Sequence, residues 1–321
     1  QRADRHEIPG MEITMKKMVI TGVNGFIGRH AKEYFEKEYE ITGLDLAANY
    51  SGEREPDDTM TYYQCNMSQE SAEMAAIFTG VQPDVILHCA GSANVGASVV
   101  NPMADLDGNL HSLYQLLLVL KSFEKRPEII FLSSAGVYGN PRQLPVRESD
   151  VAAPMSPYGL HKHMGEELCE YYNRIHGYHI RSIRIFSAYG NGLRKQLLWD
   201  IYQKYQNTGR IELFGTGEET RDFIHVSDIM RAIDLILSYD GPETVINVAN
   251  GEEVSIRELA EIYAEKLGAP QNIVSFNGAV KEGDPRNWRA DISLLRKLGY
   301  EKQMELSDGI AAYVDWAKAQ D

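Results

Sequence analysis

The chain has 321 residues, 43% of them hydrophobic and 24% charged, with a formal net charge of −14. That suits a globular protein with one large core or two packed lobes and argues against general nucleic-acid binding, although a local basic pocket for phosphates is compatible with it. No apolar run approaches the ~20 residues of a membrane span.

Residues 1–10 are polar and charged and read as an expression remnant rather than a targeting segment, with a natural start at Met11, Met15 or Met18. Met18-Val19-Ile20 reads as a buried parallel strand, followed by Thr21-Gly22-Val23-Asn24-Gly25-Phe26-Ile27-Gly28 and a helix-forming stretch from Arg29 to Glu38. Glycines at this spacing allow a tight strand-to-helix turn at Gly22, backbone approach to a pyrophosphate at Gly25, and close helix–sheet packing at Gly28. A second strand, Glu40 to Leu44, ends at Asp45, 17 residues beyond Gly28. An acid there can accept both hydroxyls of an adenosine ribose and repel a 2′-phosphate, so NAD is expected over NADP.

Further strands are predicted at Val85–Ala90, Glu128–Ser133 and Ile180–Phe186, with a long apolar helix from Asn109 to Lys121 between the first two. Repeated βαβ units of this kind predict an α/β fold with a doubly wound, Rossmann-like parallel sheet. Past Tyr189-Gly190-Asn191-Gly192 the regularity loosens, as expected of a smaller mixed α/β substrate lobe. Helices are expected near Ile256–Leu267 and Ser307–Ala319. The expected division is 11–187 plus about 222–250 for the nucleotide-binding domain, and about 188–221 plus 251–321 for the lobe. Asp222-Phe223-Ile224-His225-Val226 and Val245-Ile246-Asn247-Val248 look sheet-associated.

The strand ending in Ser133-Ser134 brings hydroxyls to the carboxyl edge of the sheet, where doubly wound folds bind ligands. Such serines also simply cap strand ends. Downstream, Pro157-Tyr158 opens a helix in which Tyr158 and Lys162 share a face. A phenol with an ordinary pKa of ~10 is too weakly acidic to serve as a base at neutral pH, but a neighbouring ammonium favours the phenolate. Cys65, Cys89 and Cys169 form no C-x-x-C pair, which is expected of a reduced, cytoplasmic protein. The nine histidines show no metal-ligand spacing, and no metal is expected.

With these motifs in place, the sequence from about Met18 to Asp315 resembles the extended short-chain dehydrogenases/reductases, the NAD-dependent nucleotide-sugar epimerases, dehydratases and reductases. The resemblance rests on the glycine motif, Ser133-Ser134-Ala135-Gly136-Val137-Tyr138-Gly139, Tyr158-x-x-x-Lys162 and Gly215 to Val226. It implies a catalytic triad of Ser134, Tyr158 and Lys162, with Lys162 also gripping the nicotinamide ribose. Asn109 matches the asparagine near the active site, Cys89-Ala90-Gly91 would line the cofactor, and Asn66-Met67 stands where the family has an acid beside the adenine. On the substrate side, Arg221 matches the arginine that pairs with the nucleotide diphosphate. Lys281-Glu282-Gly283-Asp284 resembles Arg-Pro-Gly-Asp, with Lys281 in place of the arginine. Ser187 replaces an asparagine, and Arg194 or Lys195 could supply the phosphate contact it loses. Trp288 falls where 4-epimerases have the residue limiting room beside the sugar's C2 group.

The dehydratases carry Thr-Asp-Glu at the strand end, whereas this chain has Ser134-Ala135-Gly136. The resemblance therefore implies a nucleotide-sugar 4-epimerase, with a UDP-hexose as substrate. Tyr158 takes the C4 hydroxyl proton, hydride passes to NAD, and the 4-keto sugar rotates before hydride returns to its other face. A reductase of a 4-keto nucleotide sugar is the alternative, and a non-catalytic NAD(H) sensor a third. The likeness also implies a homodimer built on helices within 102–123 and 157–176; Leu110, Leu113, Leu117 and Leu120 serve either that interface or the intramolecular core.

Overall fold

The computed structural model describes residues 15–51, 60–270, 272–279 and 285–320. Its first half alternates strand and helix: β1 (Lys16–Thr21), α1 (Phe26–Phe35), β2 (Tyr39–Asp45), β3 (Met60–Gln64), α2 (Ala72–Val81) and β4 (Val85–His88). Short helices α3 (Val95–Val100) and α4 (Pro102–Leu106) lead through a π-turn at Asp107–His111 into α5 (Ser112–Leu120). The long helix expected from Asn109 is thus interrupted where Asn109 itself sits. β5 (Glu128–Ser134), a 3₁₀ turn at Ala135–Tyr138, α6 (Pro157–His176) and β6 (His179–Ile185) follow.

Val19, Ile20, Ile86, Ile129 and Ile130 are fully buried, because strands covered on both faces by helices need apolar side chains on both. The main sheet has seven strands, ordered β11-β6-β5-β4-β1-β2-β3, and every pairing in it is parallel. Chain order reverses between β1 and β4, opening a crevice at their carboxyl ends, Thr21 and His88.

The second half begins with β7 (Ser187–Tyr189), α7 (Gln196–Thr208), β8 (Ile211–Leu213), β9 (Thr220–Arg221), β10 (Phe223–His225) and α8 (Val226–Leu237). It continues through β11 (Val245–Val248), β12 (Val254–Ser255), α9 (Ile256–Leu267), β13 (Val274–Phe276), α10 (Ser293–Lys297) and α11 (Leu306–Lys318). Val245–Val248 is the seventh strand of the main sheet, while Phe223–His225 pairs with Ser187–Tyr189 in a separate two-stranded ribbon. Tyr202, Tyr263, Tyr313 and Leu259 centre a second core under α7, α9 and α11. Ala290, Ile292, Leu295 and Tyr300, by contrast, pack with the main sheet's core. Leu113, Leu116, Leu117 and Leu120 are completely buried beneath the sheet and belong to the intramolecular core.

Candidate active site

The glycine motif closes the crevice between β1 and β4. Gly22 has φ +67°, and a Cβ there would lie 2.8 Å from the Ala90 backbone nitrogen, so only glycine brings the two strand ends this close. A Cβ at Gly28 would lie 2.3 Å from the Gly22 carbonyl oxygen, which is how α1 reaches the turn. Gly25 caps α1, no side chain covers the helix start, and its first turn carries no acid. The first N–H groups of a helix have no partners within it and attract anions. The residues therefore fit a dinucleotide: a cradle that Cβ atoms would fill, an open helix terminus, and an acid one strand away.

That acid, Asp45, accepts the backbone N–H of Asn24 at 2.9 Å and that of Ala47 at 3.3 Å. A carboxylate has about four acceptor sites, so capacity for ribose hydroxyls is left. The Asn24 side chain braces the following loop, accepting from the Ser51 N–H and donating to the Asn49 carbonyl and Tyr62 hydroxyl. Phe26 and Ile27 pack against the core at the start of α1. Asn66 accepts from the Ser68 N–H and hydroxyl, and Met67 is buried in the core.

At the β4 end, the buried His88 imidazole bridges Thr21 Oγ1 at 2.9 Å and Ser112 Oγ at 3.5 Å. Burial, with the Lys162 charge adding to it, holds its pKa down to about 3, so it stays neutral and locks β1 to α5. Cys89 and Ala90 tie back to Thr21 through their N–H groups. Gly91, at φ +137°, leaves the space that the Asn109 carbonyl fills.

Ser134, Tyr158 and Lys162 come together at the carboxyl end of β5. Ser156 caps α6 by accepting the Gly159 N–H, with Pro157 in the first turn. A Cβ on Gly159 would meet the Gly136 carbonyl oxygen at 2.5 Å, and one on Gly165 would meet the Phe131 ring at 2.7 Å. These two glycines let α6 lie directly on β5 and its 3₁₀ turn, and sequence reading passed over both. Burial pushes the Tyr158 phenol up to about 12; hydrogen bonding from Ser134 pulls the other way, and the Asp105 charge raises it further. Lys162 is brought down to about 8 by burial, against the charge of Asp105. Its ammonium lies 4.9 Å from the Phe131 ring centroid and 6.0 Å from that of Tyr158.

The strand end beyond Ser134 offers no acid: Ala135 is fully buried and Gly136 follows. One turn beyond Lys162, Glu166 takes a bidentate pair from Arg184 and the Ser133 hydroxyl. Two buried features escaped the sequence reading, Asp105 with His161 and the Asp222 clip. Asp222 accepts the N–H groups of Asn250, Gly251 and Ala290, pinning the loops on either side of Arg221. No fixed spacing marks such partners in a sequence.

Arg221 donates to the Thr220 carbonyl at 2.8 Å, and its guanidinium lies 5.4 Å from the Trp288 ring centroid. The Trp288 indole donates to the Gly139 carbonyl at 2.9 Å and meets Phe186 edge-on. It thereby ties the second half of the chain to the turn carrying Ser134. Ser187 heads β7, its N–H donated to the Asp222 carbonyl. The Arg194 guanidinium lies over Trp316 of α11 and donates to Gln320, a planar cation finding an aromatic face. Lys281 and Asp284 lie outside the described residues. Among the described residues no cluster of side chains could hold a metal ion.

Residues 18–249 match the sequence profile described as the NAD dependent epimerase/dehydratase family. The chain belongs to that family. It is 30% identical to a putative UDP-glucose 4-epimerase of Methanocaldococcus jannaschii, over 94% of this chain and 98% of that one. It is 29% identical to a UDP-glucuronate 4-epimerase of Thermodesulfobacterium geofontis, over 94% and 95%. Among solved structures it is similar to the UDP-glucuronic acid 4-epimerase of Bacillus cereus in complex with UDP-glucuronic acid and NAD. That match has a TM-score of 0.86 and 26% identity, covering 95% of this chain and all of the other. A dTDP-glucose 4,6-dehydratase from Streptomyces venezuelae with NAD bound superposes almost as well, with a TM-score of 0.85 and 25% identity over 94% and 97% of the two chains. This epimerase/dehydratase fold thus serves more than one reaction, and its members use NAD.

Proposed function

We propose that this chain is an NAD-dependent UDP-sugar 4-epimerase. The observation that carries the reading is the strand end: the proton-transfer group Ser134–Tyr158–Lys162 is complete, while the positions beside it are Ala135 and Gly136. Dehydration needs an acid and a base to expel water, and neither stands there. Reversible oxidation at C4 needs only one base.

In this reading Gly22, Gly25 and Gly28 with the start of α1 hold the pyrophosphate of NAD, Asp45 the adenosine ribose, and Lys162 the nicotinamide ribose. Bound NAD supplies the acceptor and donor of hydride at C4. Tyr158 takes the proton from the C4 hydroxyl and later returns it. Ser134 orients that hydroxyl by hydrogen bonding. The Lys162 ammonium stabilises the phenolate against the cost of burial. Inversion requires that the sugar turn within the site, so Arg221 holds the diphosphate while the sugar itself stays loosely held.

We also read the chain as a cytoplasmic homodimer. The cytoplasmic reading rests on three free thiols and on the absence, among the described residues, of a helix long and apolar enough to cross a membrane. The dimer reading rests on an apolar stripe left exposed on adjoining helices: Tyr114 and Leu118 of α5, and Leu160, Met164, Tyr171 and Ile175 of α6. Sedimentation of wild type against Met164→Glu tests it, a dimer being expected for the first and a monomer for the second.

The function is tested by incubating the protein and NAD with UDP-glucose, UDP-galactose, UDP-glucuronate and UDP-N-acetylglucosamine and following inversion at C4 by NMR. Interconversion of one C4 pair without net cofactor reduction is expected. Net consumption of reduced cofactor by a 4-keto sugar, with no inversion, would replace the epimerase with a reductase.

A further inference from the structure

Between Tyr158 and Lys162 on α6 stands a third polar residue, His161, which the proposed reaction does not use. Its ring nitrogen Nδ1 lies 2.6 Å from Asp105 Oδ2 of α4, and both residues are more than nine-tenths buried. The other carboxylate oxygen, Oδ1, accepts the Asn109 amide at 3.1 Å. That amide also donates to the Ser92 carbonyl at 3.1 Å. Burying a carboxylate is costly unless it is paired and hydrogen-bonded, so the arrangement needs a reason.

Two consequences follow from the chemistry of Asp105. An ionised carboxylate only accepts, so Asn109 must turn its NH₂ toward it. The Asn109 carbonyl oxygen is thereby forced the other way, into the space left by Gly91, where it is completely buried and has no protein partner. The second consequence is electrostatic. The acidic groups acting on Lys162 are Asp105, Cys89, Cys169 and Glu166. Burial keeps both thiols protonated. Glu166 is neutralised by the bidentate Arg184. His88 is neutral, and Tyr158 is neutral until it acts. Of these four, Asp105 acts most strongly on Lys162, and its own partner is the His161 ring rather than an arginine.

We propose that Asp105 and His161 form a buried positioning pair for the proton-transfer site: the Asp105 charge sustains the Lys162 ammonium, its acceptor-only oxygens fix the orientation of Asn109, and His161 holds the carboxylate in place. The substrate-side consequences rest on the epimerase reading; the effect on Lys162 does not. Neither residue touches the reacting atoms, so both act through Lys162 and Asn109.

The test uses the full chain labelled with [ε-¹³C]lysine, with and without NAD, the Lys162 signal being assigned by its loss in Lys162→Arg. Removing an opposite charge that acts on an ammonium lowers its midpoint, and Asp105→Asn is expected to move that of Lys162 down by about one unit. His161→Leu removes the partner that holds the carboxylate and is expected to move it in the same direction by less; it serves equally where Asp105→Asn does not fold. The pH at which kcat levels off moves down with the midpoint. An unmoved Lys162 midpoint in the folded variants overturns the proposal, even if their melting temperatures fall, because a merely structural pair would produce that result. A shifted midpoint in a protein that turns over no UDP-sugar supports the pair and counts against the epimerase reading instead.

Discussion

Gly159→Ala isolates the contact that joins the two halves of the proton-transfer site. The new methyl group would lie 2.5 Å from the Gly136 carbonyl oxygen and 3.0 Å from its carbonyl carbon, both backbone atoms that no rotamer can clear. Ordinary contact begins near 3.4 Å, so α6 and the 3₁₀ turn must separate by about 0.9 Å. Tyr158 rides on the helix, and Ser134 caps the turn by accepting the Gly136 N–H. Overpacking of this kind costs about 1–3 kcal/mol of stability, and a misplacement near 1 Å at a reacting group costs on the order of 10²-fold in rate. The expected result is a folded protein with a lowered melting temperature and kcat down by roughly 10²-fold. Gly80→Ala is the control. It sits on α2 with nothing within 4 Å of the added carbon, so helix propensity should stabilise it by about 0.5–1 kcal/mol without touching kcat. Calorimetry and steady-state kinetics on the three proteins decide the matter; wild-type kcat in Gly159→Ala would show that the close approach does not set the Tyr158–Ser134 geometry.

Tyr158→Phe should lower turnover by 10²-fold or more while NAD binding, followed by fluorescence, is retained; normal turnover would exclude the phenol as the base. The active form needs Tyr158 deprotonated and Lys162 protonated. With the phenol at about 12 and the ammonium at about 8, its population climbs with pH up to about 8 and levels off above, because each gain in phenolate is matched by a loss of ammonium; a kcat that is flat or falling between about pH 6 and 8 would contradict this pairing. Replacing Asp45 with serine should weaken NAD and relax its preference over NADP, since the carboxylate that repels a 2′-phosphate is gone; titration of both cofactors reads this directly. If Trp288, which is held by Gly139 and Phe186, stands beside the sugar's C2 group as the family resemblance implies, an acetamide there would overpack it at a cost of ~1–3 kcal/mol. Wild type should therefore prefer the unacetylated pair, and Trp288→Ser should gain on the acetylated one; equal kcat/KM on both pairs in the wild type would remove the gate.

What the sequence alone determined was local or periodic. The glycine spacing, the apolar strands at Met18 and Val85, the acid at the end of β2 and the i,i+4 pair Tyr158–Lys162 are encoded over a few residues each, by backbone freedom, two-sided burial and helix pitch. They sufficed for the parallel sheet and for the candidate group Ser134–Tyr158–Lys162, whose members the fold brings together. Tertiary structure decided everything that depends on which element lies against which. Gly159 looks like an ordinary residue in a helix until Gly136 is brought opposite it, 23 positions away in the chain. That Arg194 lies over the face of Trp316 on α11 could not be read from their positions in the chain. Leu113, Leu117 and Leu120 fit a dimer interface or a core equally well by periodicity, and the sheet above them buries all three, while Leu118 of the same helix is left exposed. Asp105 and His161, 56 residues apart, acquire meaning only when α4 packs on α6. A buried charge takes its value from the partners around it, and those partners come from the fold.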